Sequence, residues 1–227
     1  MENVRSDRTE ASFADQTLAG IATTLPGATA VLQSEKLDFC CGGGALLRGA
    51  AAAKRSDIGG IVAKVESLAA TAEPAAAPQG VDALITLIET RCHQAHRRES
   101  PERIWMARRI EAVHRSVASA PAGLADRLER VAAELESHMQ TEEQILFPLM
   151  RQGGNPTIGG PIRRMTAEHD DRGARLRAIE TLTDGFTPPD EACTTWRALY
   201  TGTQKFADDL VEHIHIENNQ LFPRFVP

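Results

Sequence analysis

A string that occurs twice constrains this chain more than any other feature. It reads His138-Met-Gln-Thr-Glu142-Glu-Gln-Ile-Leu-Phe147-Pro148 near the middle and His213-Ile-His-Ile-Glu217-Asn-Asn-Gln-Leu-Phe222-Pro223 near the C-terminus. Both copies are H-x3-E-x4-F-P, with Leu before the Phe-Pro. A His and a Glu four residues apart share one helical face, one turn above the other. One such pair is common on solvated helices. Two with matching downstream residues mark an internal duplication, so the chain reads as two halves.

The pairs fall on apolar seams. Leu124, Leu128, Val131, Leu135, His138, Glu142, Ile145 and Leu149 recur at alternating steps of four and three, the pattern of a core-facing helix. The last helix repeats it with Leu199, Thr203, Phe206, Leu210, His213 and Glu217, then Gln220 or Leu221. A third carries Ile158, Ile162, Met165, His169, Leu176 and Ile179. Each buried polar group without a partner costs about 1–3 kcal/mol, and a carboxylate more. A whole domain has only about 5–15 kcal/mol to spare. Three His and two Glu on these seams must therefore satisfy one another or bind something. A metal-free hydrogen-bond network is the plainer alternative, but neutral imidazole and carboxylate at this spacing are natural metal ligands.

Two equivalent helices imply two half-sites, each needing one more His. His169 stands 44 residues before His213, and His93 stands 45 before His138. Yet Val81, Leu84, Ile85, Ile88 and Cys92 point about 120° away from His93 at about 100° per residue. That periodicity favours His96 and does not exclude His114. Spacing and periodicity disagree, and the residues alone leave the ligand open. Four His and two carboxylates form an N/O set without thiolate, the kind that holds a carboxylate-bridged dinuclear non-haem iron or manganese centre in a helical bundle.

The chain is expected to be all-α. Residues 12–71 read as a small N-terminal helical domain, the Pro/Ala-rich stretch 72–80 as a linker, and 81–227 as an antiparallel four-helix bundle. In the first domain Cys40-Cys41 and three Gly precede a helix. A helix N-terminus lowers thiol pKa values, so Cys40 and Cys41 are expected to handle thiol chemistry or iron. Cys92 and Cys193 read as core. His215, about 200° round the helix from His213, is expected to be exposed. Glu134, one turn before His138, is the expected partner of its imidazole. Glu143 and Glu168 read as rim charges, Trp105 and Trp196 as packing residues.

Composition removes other classes. A formal charge of −6 and a pI near 5.7 argue against nucleic acid as a partner. No apolar run of about 18 residues occurs and the first residues are polar, against a membrane span or a secretory signal. Four Cys, two of them adjacent, are no disulfide framework. A reducing, cytoplasmic setting is expected.

DFCCGGG, RCHQAHRRE, SHMQTEEQILFP, EHD, EACTTW and HIHIENNQLFPR together resemble the RIC (repair of iron centres) proteins of the YtfE/ScdA/DnrN type, from about Leu18 to Arg224. The resemblance implies a double-Cys domain and a hemerythrin-like bundle holding two non-haem iron ions. It takes His93 over His96, with His93 and His138 at one iron and His169 and His213 at the other. Glu142 and Glu217 would bridge them with an oxo or hydroxo group. His215 departs from the family, which has a small polar residue there. The implied function is repair of iron–sulfur clusters damaged by nitrosative or oxidative stress, by donating iron or by binding and reducing nitric oxide. The alternative is a hemerythrin-like oxygen or redox sensor or carrier. Damaged iron–sulfur proteins are the implied partners, with nitric oxide or oxygen as small ligands. Turnover as an enzyme and homodimerisation are left open.

Overall fold

The computed structural model describes residues 12–71 and 80–226, in two compact units that divide near Ala76. Of the expected linker only Gly80 lies among the described residues. In the first unit, α1 (Leu18–Thr24), α2 (Ala28–Ser34), α3 (Leu47–Lys54) and α4 (Ile58–Thr71) enclose a small core. Thr17 Oγ1 accepts the Gly20 N–H at 3.1 Å to start α1, and Asp57 Oδ1 accepts that of Gly59 at 3.0 Å to start α4. Between α1 and α2 the chain turns at Gly27, whose φ of 83° favours glycine. Leu18, Ile21, Leu32, Leu47, Ile61 and Val65 fill the centre. Phe39 is buried too, worth about 1.5–3 kcal/mol, and it tethers the loop that carries the two cysteines.

The second unit is an antiparallel four-helix bundle. Its rods are α5 (Val81–Leu87) continuing into α6 (Gln94–Val113), α7 (Leu124–Thr141) continuing into α8 (Phe147–Arg151), α9 (Gly159–Leu182), and α10 (Thr194–Ile216). Pro101 sits inside α6, which runs on through it. Among the described residues the chain has no strand beyond a single bridge between Thr17 and Leu46, and no helix is long and apolar enough to cross a membrane.

Three of the rods widen for one turn, over Ile88–His93, Glu142–Leu146 and Glu217–Leu221. Here the bonds span five residues instead of four: the N–H groups of Gln94, Phe147 and Phe222 donate to the carbonyls of Glu89, Glu142 and Glu217. Such π-turns are rare and gather at functional sites. Each moves the buried seam on by one residue. After Glu142 the residues inside are Leu146, Phe147 and Met150; the expected Ile145 is 55% exposed and Leu149 only half-buried. After Glu217 it is Leu221 that goes in. In the first rod the wide turn sets His93 about one turn above Ile88, both fully buried. That removes the 120° conflict, which assumed an unbroken α-helix.

Leu84, Ile85, Ile88, Phe147, Met165 and Phe222 belong to the apolar cluster that closes one end of the bundle. Trp196 is buried, as expected of a packing residue, but Trp105 is 59% exposed. Cys92 is buried and Cys193, expected in the core, is exposed. Apolar periodicity places neither Trp105 nor Cys193, because both sit outside the seams.

Candidate metal centre

His93, His138, Glu142, His169, His213 and Glu217 all project into the bundle core and are all buried. Their ligand atoms fall into two groups, His93–Glu142–His213–Glu217 and His138–Glu142–His169–Glu217, each with every donor within 4.8 Å of the others. Glu142 turns Oε2 toward His93 Nε2 (3.5 Å) and Oε1 toward His138 Nε2 (3.1 Å). Glu217 turns Oε1 toward His213 Nε2 (3.0 Å) and Oε2 toward His169 Nε2 (3.2 Å). Each carboxylate thus gives one oxygen to each group. The imidazoles pair across the two halves, His93 with His213 and His138 with His169, with ring centroids 5.0 and 4.9 Å apart. This corrects the expected pairing of His93 with His138 and His169 with His213. Each helix presents its His to the rod beside it, so sequence halves do not coincide with spatial half-sites.

Outer partners fix which ring nitrogens face inward. His93 Nδ1 lies 2.7 Å from Glu143 Oε1, His138 Nδ1 2.8 Å from Glu168 Oε2, and His169 Nδ1 2.8 Å from Asn218 Oδ1. These oxygens accept, so the imidazoles carry their proton on Nδ1 and turn bare Nε2 lone pairs inward. His138 Nε2 and His169 Nε2 then face each other at 3.1 Å, and both point at carboxylates. His93 Nε2, both Glu142 oxygens and Glu217 Oε2 have no hydrogen-bond partner. Acceptor against acceptor in a dry core is repulsive, at about 1–3 kcal/mol for each unsatisfied group. A cation among them reverses the sign, so the residues fit a metal. Two hard-to-borderline ions with imidazole and carboxylate donors match the set.

Titration agrees in direction. Burial pushes His93 and His138 down, but the Glu142 and Glu217 carboxylates, joined at His93 by Glu143, outweigh it and leave both raised above their ordinary value of 6.5. Burial alone would raise Glu217, yet His213 and His169 hold it well below the usual carboxylate range. Without metal, protons supply the missing positive charge.

Glu143 and Glu168 are therefore not mere rim charges. The expected partner of His138, Glu134, pairs with Arg175 at 2.8 Å instead. The duplication carried the signal: Glu143 follows Glu142, Asn218 follows Glu217, and each holds the extra His of the neighbouring rod. Phe147 stacks on His93 (5.9 Å, 18°) just as Phe222 stacks on His169 (6.0 Å, 5°). His96 is buried against His213 and Phe206, with ring centroids at 5.4 and 5.5 Å. It belongs to neither donor group; burial, then the charges of His213 and His93, push it down to about 2. His114 lies tilted at 52° against Trp196, with ring centroids 5.2 Å apart, and belongs to neither group. His215, expected outside, is buried, with Asn219 Nδ2 3.0 Å from its Nδ1.

Cys40 and Cys41 stand in the first unit with their sulfurs 3.6 Å apart and Asp38 Oδ1 3.4 Å from Cys40 Sγ. Asp38 Oδ1 also takes the N–H groups of Cys41 and Gly42 at 3.0 and 3.1 Å. At Cys40 the expected fall in pKa is reversed. Its hydrogen bond to Cys41 comes first, then burial, then the charges of Cys41 and Asp38, and all raise it. The following helix begins only at Leu47, too far on for its N-terminus to help. Asp38, Cys40 and Cys41 nonetheless form a compact group of possible metal donors.

Residues 84–225 match the hemerythrin HHE cation binding domain, which defines the class of the bundle and its site. Residues 14–69 match ScdA_N, a domain of unknown function. The chain is 45% identical over 214 residues to the iron-sulfur cluster repair protein YtfE of Dickeya chrysanthemi, covering 93% of this chain and 97% of that protein. Proteins of the same name from Pectobacterium atrosepticum and Yersinia pestis are 44% and 43% identical, over 94% and 93% of the chain and 97% of each. The chain belongs to the YtfE family of iron–sulfur cluster repair proteins.

Proposed function

We propose that this protein takes part in the repair of iron–sulfur clusters, and that it does so through two non-haem iron ions held in the bundle. His93 and His213 would hold one ion and His138 and His169 the other, with the Glu142 and Glu217 carboxylates available to both. The observation that carries this reading is the 3.1 Å approach of the His138 and His169 Nε2 atoms, each with its Nδ1 already committed. When loaded, such a centre would supply a redox-active site able to take a small molecule such as nitric oxide or oxygen, with an oxo or hydroxo group between the ions. Clients damaged by nitrosative or oxidative stress receive iron from the centre. Cys40 and Cys41, beside Asp38, handle thiols or iron in transit.

An anaerobic transfer assay tests this. Iron-loaded protein is mixed with a cluster-free ferredoxin-type acceptor and sulfide, and cluster absorption is followed. Cluster formation in proportion to iron supplied supports donation; its absence removes the donor role. Running the same protein with nitric oxide and a reductant separates catalysis from stoichiometric binding.

A further inference from the structure

The two halves of the bundle repeat one pattern of ligands and outer partners, and one of the positions where they differ leaves a ligand without its outer partner. Residue 143 follows Glu142 and holds His93; its counterpart 218 follows Glu217 and holds His169. Residue 168 precedes His169, and Glu168 holds His138. Its counterpart precedes His93 and should hold His213, but it is Cys92. The consequence is visible: His213 Nδ1 is buried with no hydrogen-bond partner, unlike the Nδ1 atoms of the other three imidazoles. His213 Nε2 meets Glu217 Oε1 at 3.0 Å. With Nε2 turned to a metal, Nδ1 is the ring nitrogen that an outer acceptor would hold, and none reaches it.

We infer that the two metal positions are unequal, and that the ion shared by His93 and His213 is the weaker held and the first released. This rests on the dinuclear reading above. The position at His138 and His169 has two anchored imidazoles; the other has one. A missing outer hydrogen bond to a ligating imidazole typically lowers metal affinity by about 10- to 100-fold. Iron donation then draws first on one defined ion, while its neighbour stays held by two anchored imidazoles.

The test is anaerobic titration of metal-free protein with Fe(II), followed by release to a colorimetric chelator. Two binding steps at least about 10-fold apart are expected, with half of the iron leaving fast. Cys92→Glu supplies the missing acceptor, and a cleft of about 220 Å³ beside residue 92 gives it room. It should slow the fast half toward the slow one. Glu168→Gln and Asn218→Ala, on the other position, should speed the slow half. Circular dichroism of each variant establishes that the helices are kept, and the two losses serve if Cys92→Glu does not fold. Two ions of equal affinity and one release rate would overturn the inference and leave the dinuclear reading standing. Fewer than two ions in the unaltered protein would remove both.

Discussion

The N–H of Phe147 donates to the carbonyl of Glu142, five residues back, and Phe222 does the same to Glu217. The E-x4-F spacing of the repeated string is therefore the span of a wide helical turn. Pro148 and Pro223 follow directly and have no N–H to offer, so the ordinary four-residue bonds to the carbonyls of Gln144 and Asn219, inside each turn, cannot form. The turn swings Phe147 and Phe222 inward, where they stack on His93 and His169. One string thus supplies a ligand pair, the local distortion that carries it, and the wall behind the next ligand.

Truncating either wall should be costly. Phe147→Ala and Phe222→Ala each remove a buried ring, and a loss of about 3–5 kcal/mol is expected from urea unfolding of the metal-free protein. A cost under about 1 kcal/mol for both would mean that the rings are not packed as described.

The two carboxylates shared by both donor groups make a second prediction. In iron-loaded protein Glu142→Ala and Glu217→Ala should each abolish the near-ultraviolet absorption of an oxo-bridged pair while helicity persists. Retention in both variants would place the bridge elsewhere.

Anchors should act on affinity without touching the metal. Glu143→Gln is expected to weaken iron binding by about 10- to 100-fold, because the His93 imidazole loses its charged acceptor. Glu143 also takes two bonds from Arg97, at 2.8 and 3.0 Å, so Arg97→Ala should reproduce part of the effect. Unchanged affinity in Glu143→Gln would reduce that contact to a surface pairing.

The pH dependence follows from the raised His93 and His138. A pKa raised in the folded state stabilises the protein fully below the unfolded value, about 6.5, and that stability is lost as pH rises above it. The lowered Glu217 works oppositely, stabilising above the ordinary 4.5 and losing this as pH falls. The lowered His96 costs stability as pH falls below about 6.5, so melting of the metal-free protein should peak near neutral pH and decline as pH rises through the raised values of His93 and His138. Iron should restore stability on the alkaline side, since it replaces the protons. A metal-free protein whose melting temperature keeps rising from neutral pH to about pH 9 would contradict the assignment.

Much of this was legible before the structure. The duplicated string pointed to four of the six buried candidate ligands, and the α9 seam to His169. What periodicity missed came from local departures from the α-helix. The wide turn at Ile88–His93 made His96 look better placed than His93, and the one at Glu142–Leu146 made Ile145 look buried. The pairing of His93 with His213 depends on which rods are neighbours, which spacing along the chain does not encode. Glu143 and Asn218 could have been found by aligning the two copies one residue further. At Cys40 the helix-dipole argument failed because no helix begins until Leu47, while the hydrogen bond to Cys41 and burial raise its pKa.

The most direct test is a crystal of the iron-loaded protein with anomalous scattering recorded across the iron edge. Two peaks are predicted, one in contact with His93 and His213 and one with His138 and His169, both touching Glu142 and Glu217. A single peak, or an ion shared by His93 and His138, would contradict the account.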